Sequence, residues 1–321
     1  MAEQYTYAVA RVRAKELTLL SKQDIESLLA CRTYEDGLHL LAGKGWKETQ
    51  KGTEAMLSAE IEETWDTIRE LVDDMSVFDV FLYPIDFQNL KAAVKSVVTN
   101  SGQHGSLFLP RGTVPVEQMV KAVQTRDFST LPQRMQSAAS EAATILLQTG
   151  DGQLCDITID RAALEAVRDA GRESKDGLIR EYAELTVAVA DIKMAVRGQK
   201  TGKSAAFMRK MLVACASLDV EALIHAAVAG RDEINAYLLN TRYGQAVEEL
   251  KKSPSAFECW CDNRIMELIR PQKYQSFTIA PLAAYILARE NEIKMVRLAL
   301  SAKRNHLKES VVRERLREMY V

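Results

Sequence analysis

Cysteine, histidine, glycine and proline are all scarce in this chain, and each shortage excludes a class of function. The five cysteines (Cys31, Cys155, Cys215, Cys259 and Cys261) form an odd set among 321 residues. None of their spacings suits a metal, since Cys259-Trp260-Cys261 leaves a single residue between the thiols. They are expected to be reduced thiols of a cytosolic protein. The four histidines (His39, His104, His225 and His306) are scattered, with no His-Glu-x-x-His helix and no carboxylate at ligand spacing, so neither metal nor cofactor is expected. Glycine (15) and proline (7) fall below average usage, which favours long regular elements over turn-rich sheet proteins. Nor is there an excess of one charge. With 42 basic and 44 acidic residues, net charge −2 and pI near 6.2, the chain lacks the electrostatic footprint of a nucleic-acid binder.

Long apolar runs are missing too. No stretch of about 18 residues is free of charge, and the run from Pro281 to Ala288 stops at Arg289 and Glu290. The first residues meet charge at Glu3 and build no apolar segment, so no secretory signal is expected. Any membrane contact is expected to be peripheral. Nucleophile-elbow motifs are absent, and the acidic pairs Glu62-Glu63 and Asp73-Asp74 sit on diverging helix faces where they could not converge on a substrate. Gly198-Gln199-Lys200-Thr201-Gly202-Lys203-Ser204 approaches a phosphate-binding loop but has three residues between its glycines where that loop needs four. It also follows a helical pattern, Asp191 to Arg197, where the loop needs a buried strand. A nucleotide hydrolase would require ATP turnover that is lost on Lys203→Ala; neither an enzyme nor a small-molecule substrate is expected.

What is present is helix and repetition. Asn89-Leu90-Lys91, Asp191-Ile192-Lys193 and Glu292-Ile293-Lys294 each read polar, branched aliphatic, lysine, with the lysines 102 and 101 residues apart. Glu35, Asp127 and Asp219 follow helix-like runs at intervals of 92 and 92, each with a leucine soon after (Leu38, Leu131 and Leu223). Two anchors with periods near 100 point to a threefold internal duplication, with modules at 1–108, 109–204 and 205–321. The expected fold is all-α: three related helical modules of about 100 residues. The equivalent lysines Lys91, Lys193 and Lys294 suit a shared structural task, such as pairing a carboxylate on a neighbouring helix. Glu35, Asp127 and Asp219 are repeat-equivalent structural positions, of which Glu35 and Asp219 open helices.

Along the chain, helix is expected from Tyr5 to about Leu20, then from a capping box at Ser21 and Asp24. A short helix opens at Glu35-Asp36 and closes at Gly43 and Gly45, with Trp46 in the core. Another is expected to begin after Ser58, with Glu60, Glu62 and Glu63 in its first turn. Pro84 and Asp86 read as a stop and a new cap before a helix from Phe87 to Val98. Asn100-Ser101-Gly102 to Pro115 divides the first two modules. In the second, the helical period covers Met119 to Leu131 and Met135 to Leu147. The alternation of Leu154 to Ile159 reads as extended, with Asp160 capping a helix from Arg161 to Ala170, and Gly198 to Ser204 reads as a loop. Ser253-Pro254 and Pro281 start the last long helices, and Lys303 to Arg317 reads as a solvated basic helix.

Five segments together resemble one family: Tyr5 to Glu16 with Leu19-Leu20, Asp86 to Lys91, Asp191 to Arg197, Pro281 to Glu290, and Arg313 to Val321. They are similar, in order and over the whole chain, to the C subunit of bacterial and archaeal V/A-type ATPases, itself similar to the eukaryotic d subunit. The resemblance implies a funnel of three helical modules with pseudo-threefold symmetry that hydrolyses nothing. It implies, as partners, central-stalk subunits of the D/F type and the membrane rotor ring. The residues that would touch these partners are not legible in the sequence. The alternative is a helical-repeat scaffold binding other proteins.

Overall fold

A computed structural model describes residues 5–47, 52–100 and 107–321; residues 101–106 of the expected divider lie outside them. Helix makes up 76% of the chain, with no strand among the described residues. In order, the helices are α1 (Thr6–Glu16), α2 (Lys22–Ala30), α3 (Tyr34–Gly43), α4 (Thr53–Leu71), α5 (Asp79–Val98), α6 (Val116–Thr125), α7 (Gln133–Thr149) and α8 (Gly152–Glu173). They continue as α9 (Gly177–Lys200), α10 (Ala205–Met211), α11 (Val220–Ala229), α12 (Arg231–Leu239), α13 (Ala246–Lys252), α14 (Pro254–Ile269), α15 (Ala280–Arg304) and α16 (Glu309–Arg313). The chain divides into two compact units. One comprises Met1–Met75, Asp176–Leu178 and Gln245–Val321, the other Ser76–Lys175 and Ile179–Gly244.

The first unit is built around α15. Proline near its amino end needs no backbone N–H there. From Ala280 to Leu300 the helix is buried on nearly every side, apolar all round from Ala280 to Ala288 and carrying buried polar groups at Arg289, Asn291 and Glu292. Leu282, Ile286 and Val296 are fully enclosed, while Ala283, Ala284 and Ala288 let neighbours approach closely. It packs against α1, α2, α3, α4 and α14. The capping box at Ser21 forms as expected, the hydroxyl accepting the Asp24 N–H and the Asp24 carboxylate accepting the Ser21 N–H. Trp46 is buried, and Gly45 takes the positive φ of +93° that the turn after α3 requires. Helix α4 starts at Thr53 instead of after Ser58, so Glu60, Glu62 and Glu63 lie mid-helix and not in a first turn.

In the second unit α5 and α8 pack along one another, with α6 and α7 beside them over Phe87, Leu90, Val94, Met119, Met135 and Ile159. Two expectations fail here for one reason. Pro84 does not stop a helix but lies inside α5. Burial of Val80, Phe81, Phe87 and Leu90 on both sides of it outweighs the one backbone hydrogen bond that proline removes. Leu154 to Ile159 is not extended but the first turns of α8, capped by Asp151, whose carboxylate accepts the Leu154 N–H at 2.9 Å. Cys155 and Ile159, four apart, are its buried stripe, so Asp160 sits mid-helix and caps nothing. The short apolar run fitted both periods, and packing chose the helical one.

Candidate functional site

The two sets of recurring residues occupy different surroundings. Lys91, on α5, pairs with Asp160 of α8 at 2.5 Å, its side chain 14% exposed. Lys294, on α15, pairs with Asp262 of α14 at 3.1 Å. Lys193, on α9, is exposed and has no ion pair among the described residues. Of the acids, Glu35 lies in the first turn of α3, where Thr33 and Asp36 form the capping box. Asp127 caps a 3-10 turn, Phe128–Thr130, accepting from the N–H and hydroxyl of Ser129. Asp219 is the N-cap of α11, accepting the Ala222 N–H at 3.0 Å. None of the six meets another. Asp219→Ala should destabilise the chain by about 1 kcal/mol, the usual cost of losing such a cap, read from the urea midpoint.

More consequential is the polar residue just ahead of each lysine. Asn89, Asp191 and Glu292 are 1%, 0% and 1% exposed, and each holds backbone outside its own helix. Asn89 makes two bonds with one residue: its amide donates to the Leu109 carbonyl at 2.9 Å, and its oxygen accepts the Leu109 N–H at 2.7 Å. Asp191 accepts the Val213 N–H at 3.0 Å. Glu292 accepts the Leu20 N–H at 2.5 Å. Helices α5 and α9 carry two further acids that hold backbone, Asp86 buried and Glu184 partly buried. Asp86 accepts from the Val114 N–H and the Thr113 hydroxyl, with Arg134 at 3.5 Å. Gly112 is obligatory beside it, because a Cβ there would fall 2.5 Å from an Asp86 oxygen. Glu184 accepts the N–H and hydroxyl of Ser217. Burial works against the Glu184 charge, but the Ser217 bonds prevail and hold the carboxyl below its usual range.

Around Glu292 lies a cluster of buried charge. Arg289 donates to it at 2.6 Å, stands 3.8 Å from Glu60, and reaches the Tyr285 and Thr18 hydroxyls. Burial outweighs the Arg289 guanidinium and pushes the Glu292 carboxyl up to about 7. The triplet motif contained these positions, but it drew attention to the lysine and not to the polar residue beside it. A polar residue within the apolar stripe of a long helix was the available signal.

The stretch Gly198 to Ser204 is no phosphate cradle, and it is less of a loop than expected. α9 runs on through Lys200, committing the N–H groups that would wrap a phosphate, and Ser204 caps α10. Lys203 donates to Gln153 and lies over the Phe207 ring. Asp156 and Asp160, which line the adjoining cleft, are paired with Lys95 and Lys91. Among the described residues no group of histidine, cysteine or acid side chains could hold a metal, and no helix is long and apolar enough to cross a membrane.

A family model described as ATP synthase (C/AC39) subunit matches residues 8–315. The chain is 24% identical over 319 residues to the C subunit of the V-type sodium ATPase of Enterococcus hirae, covering 96% of this chain and 97% of that protein. It is also 24% identical over 331 residues to the C subunit of the A-type ATP synthase of Thermococcus kodakarensis, covering 97% and 89%. To the C subunit of the A-type ATP synthase of Desulfurococcus the identity is 23% over 321 residues, covering 91% and 85%.

Proposed function

Because the chain belongs to the ATP synthase (C/AC39) subunit family, a structural and non-catalytic component of V/A-type ATPases, we propose that it is the rotor spacer of such a complex, seating central-stalk subunits of the D/F type on the membrane rotor ring. It would sit on the cytoplasmic side as a peripheral component and pass torque without turning over nucleotide. The observation that carries this reading is the extent of the family match, residues 8–315 of 321, which leaves no room among these residues for a separate catalytic domain.

A spacer that transmits torque needs a body that does not yield, and close-packed helices meet that need because they pass strain on instead of absorbing it. The buried anchors add to this stiffness. Asn89, Asp191 and Glu292 each fix a segment that leads into another helix, and their recurrence ahead of Lys91, Lys193 and Lys294 supports the three-module reading with boundaries at 1–108, 109–204 and 205–321. Torque would pass through side-chain contacts at two docking faces, with charged contacts governing register and association rate more than affinity.

Native mass spectrometry tests this, with the purified chain mixed with the stalk subunits and detergent-solubilised rotor ring of its own organism. The expected result is a ternary complex containing one copy of this chain, formed without nucleotide. A chain that stays free while stalk and ring are intact would overturn the spacer reading in favour of a helical-repeat scaffold.

A further inference from the structure

Asp191 is a buried carboxyl that no cation pairs with directly among the described residues. It lies on α9 at 0% exposure; one oxygen accepts the Val213 N–H, and the other has no hydrogen-bond partner among the described residues. The acids that hold backbone in a comparable way are better compensated. Asp86 has an N–H, a hydroxyl and Arg134 nearby; Glu184 has the N–H and hydroxyl of Ser217; Glu292 has Arg289 and the Leu20 N–H. A single N–H does not offset the burial of a full charge, and such a group neutralises instead.

Asn89 shows which neutral group suits such a place. Its uncharged amide grips Leu109 through donor and acceptor together, and at Asp191 a protonated carboxyl keeps the one function the geometry uses, an acceptor for the Val213 N–H. We infer that Asp191 is a neutral carboxylic acid in the folded protein, holding the 212–218 segment between α10 and α11 as an amide would, and that its ionisation loosens this segment. The inference needs only the geometry within the second unit and stands whether or not the chain is a rotor spacer.

The ionisable groups bearing on Asp191 come from three places. Arg161 on α8 is engaged by Glu165 and the Arg209 carbonyl. Glu184 lies on α9 itself, and Cys215 lies in the held segment, its thiol pushed up to about 11 by burial and then by the charges of Glu184 and Asp191. For Asp191 burial is the largest effect. It is opposed by the Val213 N–H and Arg161, reinforced by Glu184, and brings the carboxyl up to about 7.

An acid that holds its proton more tightly folded than unfolded stabilises the fold at low pH. That contribution is complete below the ordinary aspartate value near 4 and is lost as pH rises through about 7. Asp191→Asn fixes the neutral form, so urea unfolding of the native chain and the variant should diverge with pH. The ratio of their unfolding constants, native over variant, is expected to grow about a hundredfold from pH 5 to pH 8, near tenfold per pH unit until neutrality. A ratio that stays flat would overturn the inference. Carboxyl carbon NMR of the native chain, labelled at aspartate, gives an answer even where the variant fails to fold. One aspartate signal should remain in its protonated position at pH 6 and titrate near neutrality; aspartates all ionised at pH 6 would overturn it.

Discussion

Arg289→Met is expected to destabilise the first unit by about 3–5 kcal/mol at pH 8, the cost of removing one member of a buried ion pair and leaving its partner uncompensated. The geometry accounts for so large an effect. Arg289 and Glu292 expose 7% and 1% of their side chains, Glu60 exposes 11%, and one guanidinium serves both carboxylates. Methionine fills the volume of the arginine stem but supplies no charge, so Glu292 must either stay ionised in the core or keep a proton. Burial already pushes its carboxyl up to about 7, and losing Arg289, the largest opposing influence, pushes it further. The variant's deficit should therefore shrink at pH 5, where Glu292 is protonated in native and variant protein alike, and be fully developed above neutrality. Glu292→Gln keeps an acceptor for the Leu20 N–H and should cost less. Arg313→Met is the surface control: its pairs with Glu26 and Glu309 are nearly half exposed on the arginine side, and exposed pairs contribute little because solvent screens them. Urea midpoints of the three variants at pH 5 and pH 8 decide the matter; equal deficits for Arg289→Met and Arg313→Met would show that the buried cluster carries no special weight.

This cluster also marks where the sequence stopped being legible. Helix type could be read wherever a chemical signal was local: Ser21 with Asp24, Ser253 with Pro254, and Gly45 after α3 all act within one turn of the chain. All-α architecture followed from the same local signals. Pro84 and the stretch from Leu154 to Ile159 misled because burial by other helices decided them, and nothing local records that burial. The site divided in the same way. Lys91 and Lys294 were visible as a recurring pattern, but their partners Asp160 and Asp262 belong to helices 69 residues downstream and 32 residues upstream. The Glu292 bond to the Leu20 N–H spans 272 residues, a separation at which a sequence without its fold gives no cue.

The segment from 314 to 321 presents the same difficulty, and from it comes the second large effect. Lys303 to Arg317, which overlaps this segment, reads as a solvated basic helix. Here α15 ends at Arg304, Glu309–Arg313 adds a single helical turn, and the residues after it are tied down one by one. The Leu316 carbonyl accepts from the Cys259 thiol, Arg317 pairs with Asp262, and the Glu318 N–H bonds Asn263 while its carbonyl accepts from Asn291. Arg270 and Lys273 take the Met319 and Tyr320 carbonyls, and the Tyr320 hydroxyl donates to Glu16 on α1 at 3.0 Å. Tyr320 is 3% exposed. Burial, and then the Glu16 carboxylate, push its phenol well above the usual tyrosine range, so it remains a donor throughout the working pH range. Tyr320→Ala should thus destabilise the first unit by about 3–5 kcal/mol, as truncation of a buried aromatic does. Tyr320→Phe keeps the ring over which Lys273 lies and loses only a bond to a charged acceptor, about 1.5–3 kcal/mol. A chain ending at Arg315 should lose more than either, since Asn263 and Asn291 are then deprived of their backbone partners and a groove between α14 and α15 opens to water. Amide exchange reads the consequence directly. If the segment is a structural clasp, shortening it will raise exchange along α14, α15 and the end of α1 together, because its bonds reach all three; if exchange rises only in α16, the segment merely rests on the surface.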